Sequence, residues 1–154
     1  MRKDLFKEKA SIGENARRDK FLQRQLERAG AAISDKTETL SYTGFITYYK
    51  TGSRKEYENE YFEHRRQLCA YTILAAVYPE NEKFLHGLEN IIWAVSDEFS
   101  WALPAHIPED ADPEACVEHI DLFAAETAFS LAEAADIIGD RLDKRIRDRI
   151  KFEV

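Results

Sequence analysis

The sequence predicts an all-α protein built from antiparallel helical hairpins, on three observations. Apolar residues recur at steps of three and four through most of the chain. No strand pattern of period two appears after residue 54. Breakers of the Gly and Pro type separate the periodic runs, at Gly52, Pro79, Pro104, Pro108, Pro113 and Gly139.

The elements follow in order. Residues 1–13 are highly charged and are expected to form a flexible lead-in to a helical domain over 14–154. A first helix is predicted from about Glu14 to Ile33, with Leu22, Leu26, Ala29 and Ile33 on one face and Arg17, Arg18, Lys20, Arg24 and Arg28 giving it a basic, solvated surface. Ser34 to Thr37 breaks the pattern, with Thr37 as the expected cap of a short aromatic helix over 38–50. Gly52 ends that helix in the left-handed region, and Ser53 with Glu56 has the spacing of a capping box. The next helix spans Arg54 to about Tyr78, with Tyr61, Leu68, Thr72 and Ala75 as its stripe. Another runs from about Glu80 to Phe99, with Phe84, Leu88, Ile91, Ile92, Val95 and Phe99 in register.

Three prolines make 102–117 a loop, and loops of such length tend to be functional. His119 to Ile138 is the most apolar helix and stops at Gly139. Asp140 is then expected to cap a final helix over 141–153, in which Ile146 and Ile150 face inward.

Composition narrows the function. A chain of 154 residues with 44% hydrophobic and 12% aromatic content supports a core. At that size one domain buries roughly 70% of its unfolded surface. A net charge of −7 argues against nucleic acid, which needs a dense basic face. No run reaches the roughly 20 apolar residues of a membrane span. Cys69 and Cys116 are few and far apart, and the N-terminus lacks a signal-type apolar stretch, so a reduced, cytoplasmic protein is expected. Cys69 falls on an apolar helical face, where a small buried thiol is expected.

Chemistry concentrates around Trp101, Pro104 and His106. An indole can stack on a sugar ring, an imidazole can donate to hydroxyl or carboxylate oxygens, and prolines limit the entropy lost on binding. The same residues could equally serve as a wedge under the loop and a cap on helix carbonyls. His119, Phe123, Glu126, Ser130 and Glu133 form one stripe, so Glu126 and Glu133 either face a cleft or mark the exposed side of an amphipathic helix. Asp97 and Glu98 diverge by about 100° on a helix and cannot flank one glycosidic bond together, although Glu98 alone could shape a cleft beside Trp101. His64 with Glu60 and His86 with Glu82 supply only two potential zinc ligands each and read as paired charges on helix surfaces; no metal or cofactor is expected. A phosphate loop and a nucleophile elbow are both missing from the sequence.

Several of these segments, taken in order, resemble heparinase II/III-like polysaccharide lyases. They are Thr51-Gly-Ser-Arg54, Tyr57, Tyr61-Phe62, Arg65-Arg66, Asn90-Ile-Ile-Trp93, Trp101 to Pro108, Ile120 to Ala128, and Ile138-Gly-Asp-Arg-Leu-Asp143. The resemblance runs from about Leu40 to Val154. It implies the first part of an (α/α) toroid, a partial toroid in which charged outer helices alternate with apolar inner ones. It also implies glycans of uronic acid as the substrate class, cleaved by β-elimination, which needs a group that neutralises the carboxylate and a base that removes the adjacent proton. In such a family Arg65, Arg66, Tyr57 and Tyr61 belong to an early helix and look structural.

The catalytic Asn of such lyases lies in an Asn-Trp segment, whereas the asparagines here are Asn15, Asn59, Asn81 and Asn90, none followed by Trp. No catalytic residue is therefore assigned, and the chain alone is expected to be inactive. Trp101, His106 and Glu126 are the candidate substrate-binding residues, with an acidic polysaccharide or oligosaccharide as partner. A half-toroid would expose apolar inner helices, which a homodimer could cover. The competing expectation is a stand-alone helical binding or assembly protein, and a complete small lyase or hydrolase lacks a visible acid–base set.

Overall fold

A computed structural model describes residue 13, residues 15–34 and residues 36–154. The expected flexible segment 1–13 lies, but for Gly13, outside the described residues. The main helices are α1 (Lys20–Ala32), α2 (Tyr42–Thr51), α3 (Lys55–Val77), α4 (Glu82–Ser96), α5 (Pro113–Glu118), α6 (Leu122–Ile138) and α7 (Lys144–Glu153). Short 3-10 turns stand at Pro104–His106 and Gly139–Arg141, and no strand occurs among the described residues.

The centre of the fold is α3, which packs against α1, α2, α4 and α6. Its buried residues include Tyr61, His64, Leu68, Tyr71, Thr72 and Ala75 and surround the helix instead of keeping to one stripe, as a helix enclosed by neighbours requires. With α4 it forms a hairpin, and α7 closes the far side against α4 and α6. The main core joins Leu68, Tyr71 and Ala75 of α3 to Leu88, Ile91, Ile92 and Val95 of α4, Leu131 and Ala134 of α6, and Ile146 and Ile150 of α7. Each fully buried Leu or Ile contributes about 1.5–3 kcal/mol.

The helix ends carry several corrections. The predicted first helix is interrupted at Asp19, which caps α1 by accepting from the N–H groups of Phe21 and Leu22. Ser41, not Thr37, caps α2. Gly52 does take the left-handed conformation, φ 74°, that ends α2. The Ser53–Glu56 capping box is replaced by a direct bond between the two side chains, with Arg54 as the cap residue. Phe99 lies beyond the end of α4 and is half-exposed. Pro113 opens a short helix within the expected loop, as proline's fixed φ allows at a first helical position. Asp143, not Asp140, caps α7, because Gly139 at φ 62° turns the chain through a 3-10 turn first; Asp140 pairs with Arg147 instead. Cys69 is exposed, against the expectation of a buried thiol, and both cysteines are free.

The most apolar helix, α6, is only half used. It buries Ala124, Thr127, Leu131, Ala134 and Ile138, at steps of three and four, and leaves Leu122 and Phe129 largely exposed. No helix among the described residues is long and apolar enough to cross a membrane.

Candidate functional site

Three residues of α3, Tyr61, His64 and Arg65, lie at i, i+3 and i+4 and so share a face. That face meets the turn after α4 and the first turns of α6. The chain leaves α4 at Asp97, whose N–H still bonds to the carbonyls of Trp93 and Ala94, and Glu98 turns inward, its side chain only 2% exposed. One carboxylate oxygen, Oε1, lies 2.6 Å from Arg65 Nη1 and 2.8 Å from His64 Nδ1. His64 Nε2 donates to the Glu38 carbonyl at 2.7 Å, since a carbonyl can only accept.

Arg65 ties this group to α6. Its Nε donates to Thr127 Oγ1 at 3.1 Å, and Thr127 donates on to the Phe123 carbonyl at 2.7 Å. The guanidinium carbon sits 3.6 Å from the centroid of the Tyr61 ring, in cation–π range. The Tyr61 hydroxyl donates to the Trp101 carbonyl at 2.8 Å. Glu98 Oε2 and Arg65 Nη2 are buried without a hydrogen-bond partner. Burial, together with the Glu98 charge, pushes the Tyr57 hydroxyl well above the usual tyrosine range. Burial likewise raises Tyr61. Both phenols stay protonated at neutral pH, so neither is poised as a base.

The candidate residues divide. Trp101 is half-buried; its indole N–H donates to the Val95 carbonyl at 2.8 Å and its ring packs on the main core. It lines a cleft of about 760 Å³ with Glu98, Phe99, His119 and Ala128. Glu98 thus does sit beside Trp101, as its sequence position allows. His106 is held elsewhere: its Nδ1 lies 2.6 Å from Asp121 Oδ2, and its ring stacks on Phe123 with centroids 5.7 Å apart. Glu126 is exposed on α6 and is not among the residues lining that cleft. The stripe that would have joined it to His119 is broken, because His119 is the C-cap of α5 and lies outside α6. Glu133 is exposed as well.

Two histidine readings separate in the same way. His86 is exposed on α4, but His64 is buried in the Glu98 cluster, not paired on a helix surface. Among the described residues no group of three metal-type side chains converges. Arg65 pairs with an acid as expected of a structural arginine, and Arg66 binds Glu63 on the surface. Lys20, Arg24 and Arg28 are exposed on α1 and Arg18 just ahead of it, while Arg17, also before the cap, reaches Glu80 at 3.3 Å.

Asp121 is the residue the sequence reading missed. It caps α6 through the Ala124 N–H at 2.7 Å while its other oxygen takes the Leu103 N–H and His106. Burial alone would raise its carboxyl, but the bonds from Ala124, His106 and Leu103 prevail and hold it below the ordinary value. A depressed carboxyl contributes stability that is complete above its unfolded value and is lost as pH falls through the folded one. Asp121→Asn should therefore remove part of the stability lost below about pH 4 in the parent protein, and at pH 7 cost about 0.5–2 kcal/mol as a weakened cap. Urea midpoints across pH 2–7 check both limbs. The signal was present in the sequence, an Asp directly ahead of an apolar run. Thr127 carried no such signal.

No family model matches the sequence, and no curated protein matches it.

Proposed function

We propose that the chain is the N-terminal helical part of a heparinase II/III-like polysaccharide lyase, a partial (α/α) toroid that supplies glycan-binding surface and not the reaction machinery. One observation carries this reading: four of the resembling segments, those holding Tyr61, Arg65, Trp101 and Thr127, meet at one corner. Tyr61 and Arg65 of α3, the Trp101 carbonyl and the start of α6 are joined by direct bonds, and the Trp101 cleft opens beside them. The motif Gly139–Asp143 is architectural in a similar way, since Arg141 bonds to the Ala75 and Pro79 carbonyls at the end of α3.

The cleft takes the ring faces and hydroxyls of an acidic glycan. Glu98, Glu118 and Glu153 line it, and His119 is the lining side chain whose ring N–H can donate to a uronate carboxylate. Trp101→Ala is a poor test, because the indole also supports the loop. Trp101→Phe keeps a ring there. Calorimetric titration with galacturonate, alginate and heparin-derived hexasaccharides should show binding that Trp101→Phe weakens about tenfold, a loss of about 1.4 kcal/mol, with helical circular dichroism unchanged. Equal binding by both proteins, or none by the parent, would remove the reading.

A second reading is favoured by the exposed apolar side of α6, namely an assembly protein without catalytic activity in which Trp101 and His106 are wedge and cap. Both readings leave Leu122 and Phe129 to be covered, and we propose a homodimer through this helix. Sedimentation should report a dimer that Phe129→Lys converts to monomer; a monomeric parent protein at about 100 μM would exclude this pairing.

A further inference from the structure

A second cleft, of about 650 Å³, shares Glu98 and Phe99 with the Trp101 cleft, these two residues lining both. This volume lies within the usual range for small-ligand sites. Three of its aromatic residues are far more exposed than core rings: Tyr42 is 75% exposed, Phe99 50% and Trp93 49%. Its acids are Asp97 and Glu98.

The partners of those acids select the ligand. Asp97 Oδ1 is 3.1 Å from Arg149 Nη2, and that same arginine lies 5.6 Å from the Trp93 ring centroid. Glu98 Oε1 is shared by Arg65 and His64. A cationic ligand would meet carboxylates that are already compensated and would gain little. An anionic one would be placed against two carboxylates. What remains is acceptor capacity at the half-exposed Asp97 carboxylate, to which Thr39 and Ser41 add hydroxyls; the unpartnered Glu98 Oε2 is buried out of a ligand's reach. Aromatic faces beside spare acceptors fit a group with apolar ring faces and hydroxyl donors at its edge.

We propose that this cleft is a subsite for an uncharged, hydroxyl-rich sugar ring, stacked on Trp93 and Phe99 and oriented by Asp97 with Thr39 and Ser41. The proposal deepens the glycan-binding function above and rests on it, by placing a neutral unit of the polymer in the cleft that shares Phe99 with the Trp101 cleft.

The chain has only two tryptophans, one in each cleft, so 5-fluorotryptophan labelling gives one fluorine NMR signal per cleft in the intact protein. The probes are neutral hexasaccharides of glucose, mannose and N-acetylglucosamine, hexagalacturonate, and tetramethylammonium. We expect at least one neutral hexasaccharide to move the Trp93 signal saturably, with a dissociation constant of about 0.1–1 mM. Tyr42→Ala and Asp97→Ala, both at exposed positions, should each weaken that response about fivefold or more with no change in melting temperature. Silence of Trp93 towards every neutral sugar overturns the proposal, and so does an equal response to tetramethylammonium, which would mark a cation cage. If hexagalacturonate moves Trp101 while Trp93 stays silent, the glycan-binding function stands and this subsite does not. If neither signal moves with any sugar, both fall.

Discussion

Replacing Glu98 with alanine should lower the unfolding free energy by about 3–5 kcal/mol, because it leaves Arg65 and His64 buried without their shared carboxylate. Side-chain exposures of 2% for Glu98, 5% for His64 and 14% for Arg65 leave little water to compensate. For a chain of this size that corresponds to a melting temperature lower by roughly 10 °C. Glu98→Gln should be milder, since the amide oxygen can still accept from Arg65. The triple substitution Glu98→Leu, Arg65→Met, His64→Leu should recover much of the loss, as apolar replacement of buried charge clusters often does. Thermal melts of the four proteins check this ordering. A Glu98→Ala protein as stable as the parent would mean that the cluster is not the tie between α3, the turn after α4 and α6 that its geometry describes.

The second large effect is expected at Gly87, where α4 packs directly on the Tyr71 ring of α3. A methyl group at this position would come 2.1 Å from Tyr71 Cε1 and 2.4 Å from Cζ. Tyr71 is 3% exposed and its hydroxyl is bonded to the Ser34 carbonyl at 3.0 Å, so the ring cannot swing aside freely. Gly87→Ala should therefore cost about 3 kcal/mol, the upper end for overpacking, despite a gain of about 1 kcal/mol in helix propensity. Gly30→Ala supplies the contrast: nothing lies within 4 Å of its added carbon, and the propensity gain should appear as a stabilisation of about 0.5–1 kcal/mol. Urea unfolding of the two variants should give opposite signs. If Gly87→Ala were neutral, the α3–α4 crossing would be looser than described.

The fold class was legible because helix periodicity is a local property. Leu88, Ile91, Ile92 and Val95 occur at the expected spacing and all sit in the core. Helix ends were less legible. Thr37 and Asp140 are chemically competent caps, but Ser41 and Asp143 stand where the chain enters the helix, and that position depends on packing. The toroid cannot be read from periodicity at all, and the observed α3–α4 hairpin is shared by many helical architectures.

The site was legible in types but not in partners. Trp101 and Glu98 were recognisable as neighbours of one cleft, whereas His106 turned to Asp121 and Glu126 to the surface, choices made by contacts distant in sequence. His64 shows the same limit. At four residues from Glu60 it reads as a surface pair, yet burial of that face of α3 turns it to Glu98, 34 positions away. A pair formed within a helix is visible in the sequence; one formed between helices becomes visible only once the helices are packed.

The central claim is that an acidic glycan binds at the Trp101 cleft, and the basic face of α1 is its natural competitor for a polyanion. Backbone NMR during titration with a uronate hexasaccharide distinguishes the two surfaces directly. Shifts are expected at Ser100, Trp101, Ala125 and Ala128, with Arg24 and Arg28 unmoved. Shifts confined to Arg18, Lys20, Arg24 and Arg28, fading with added salt, would contradict that claim.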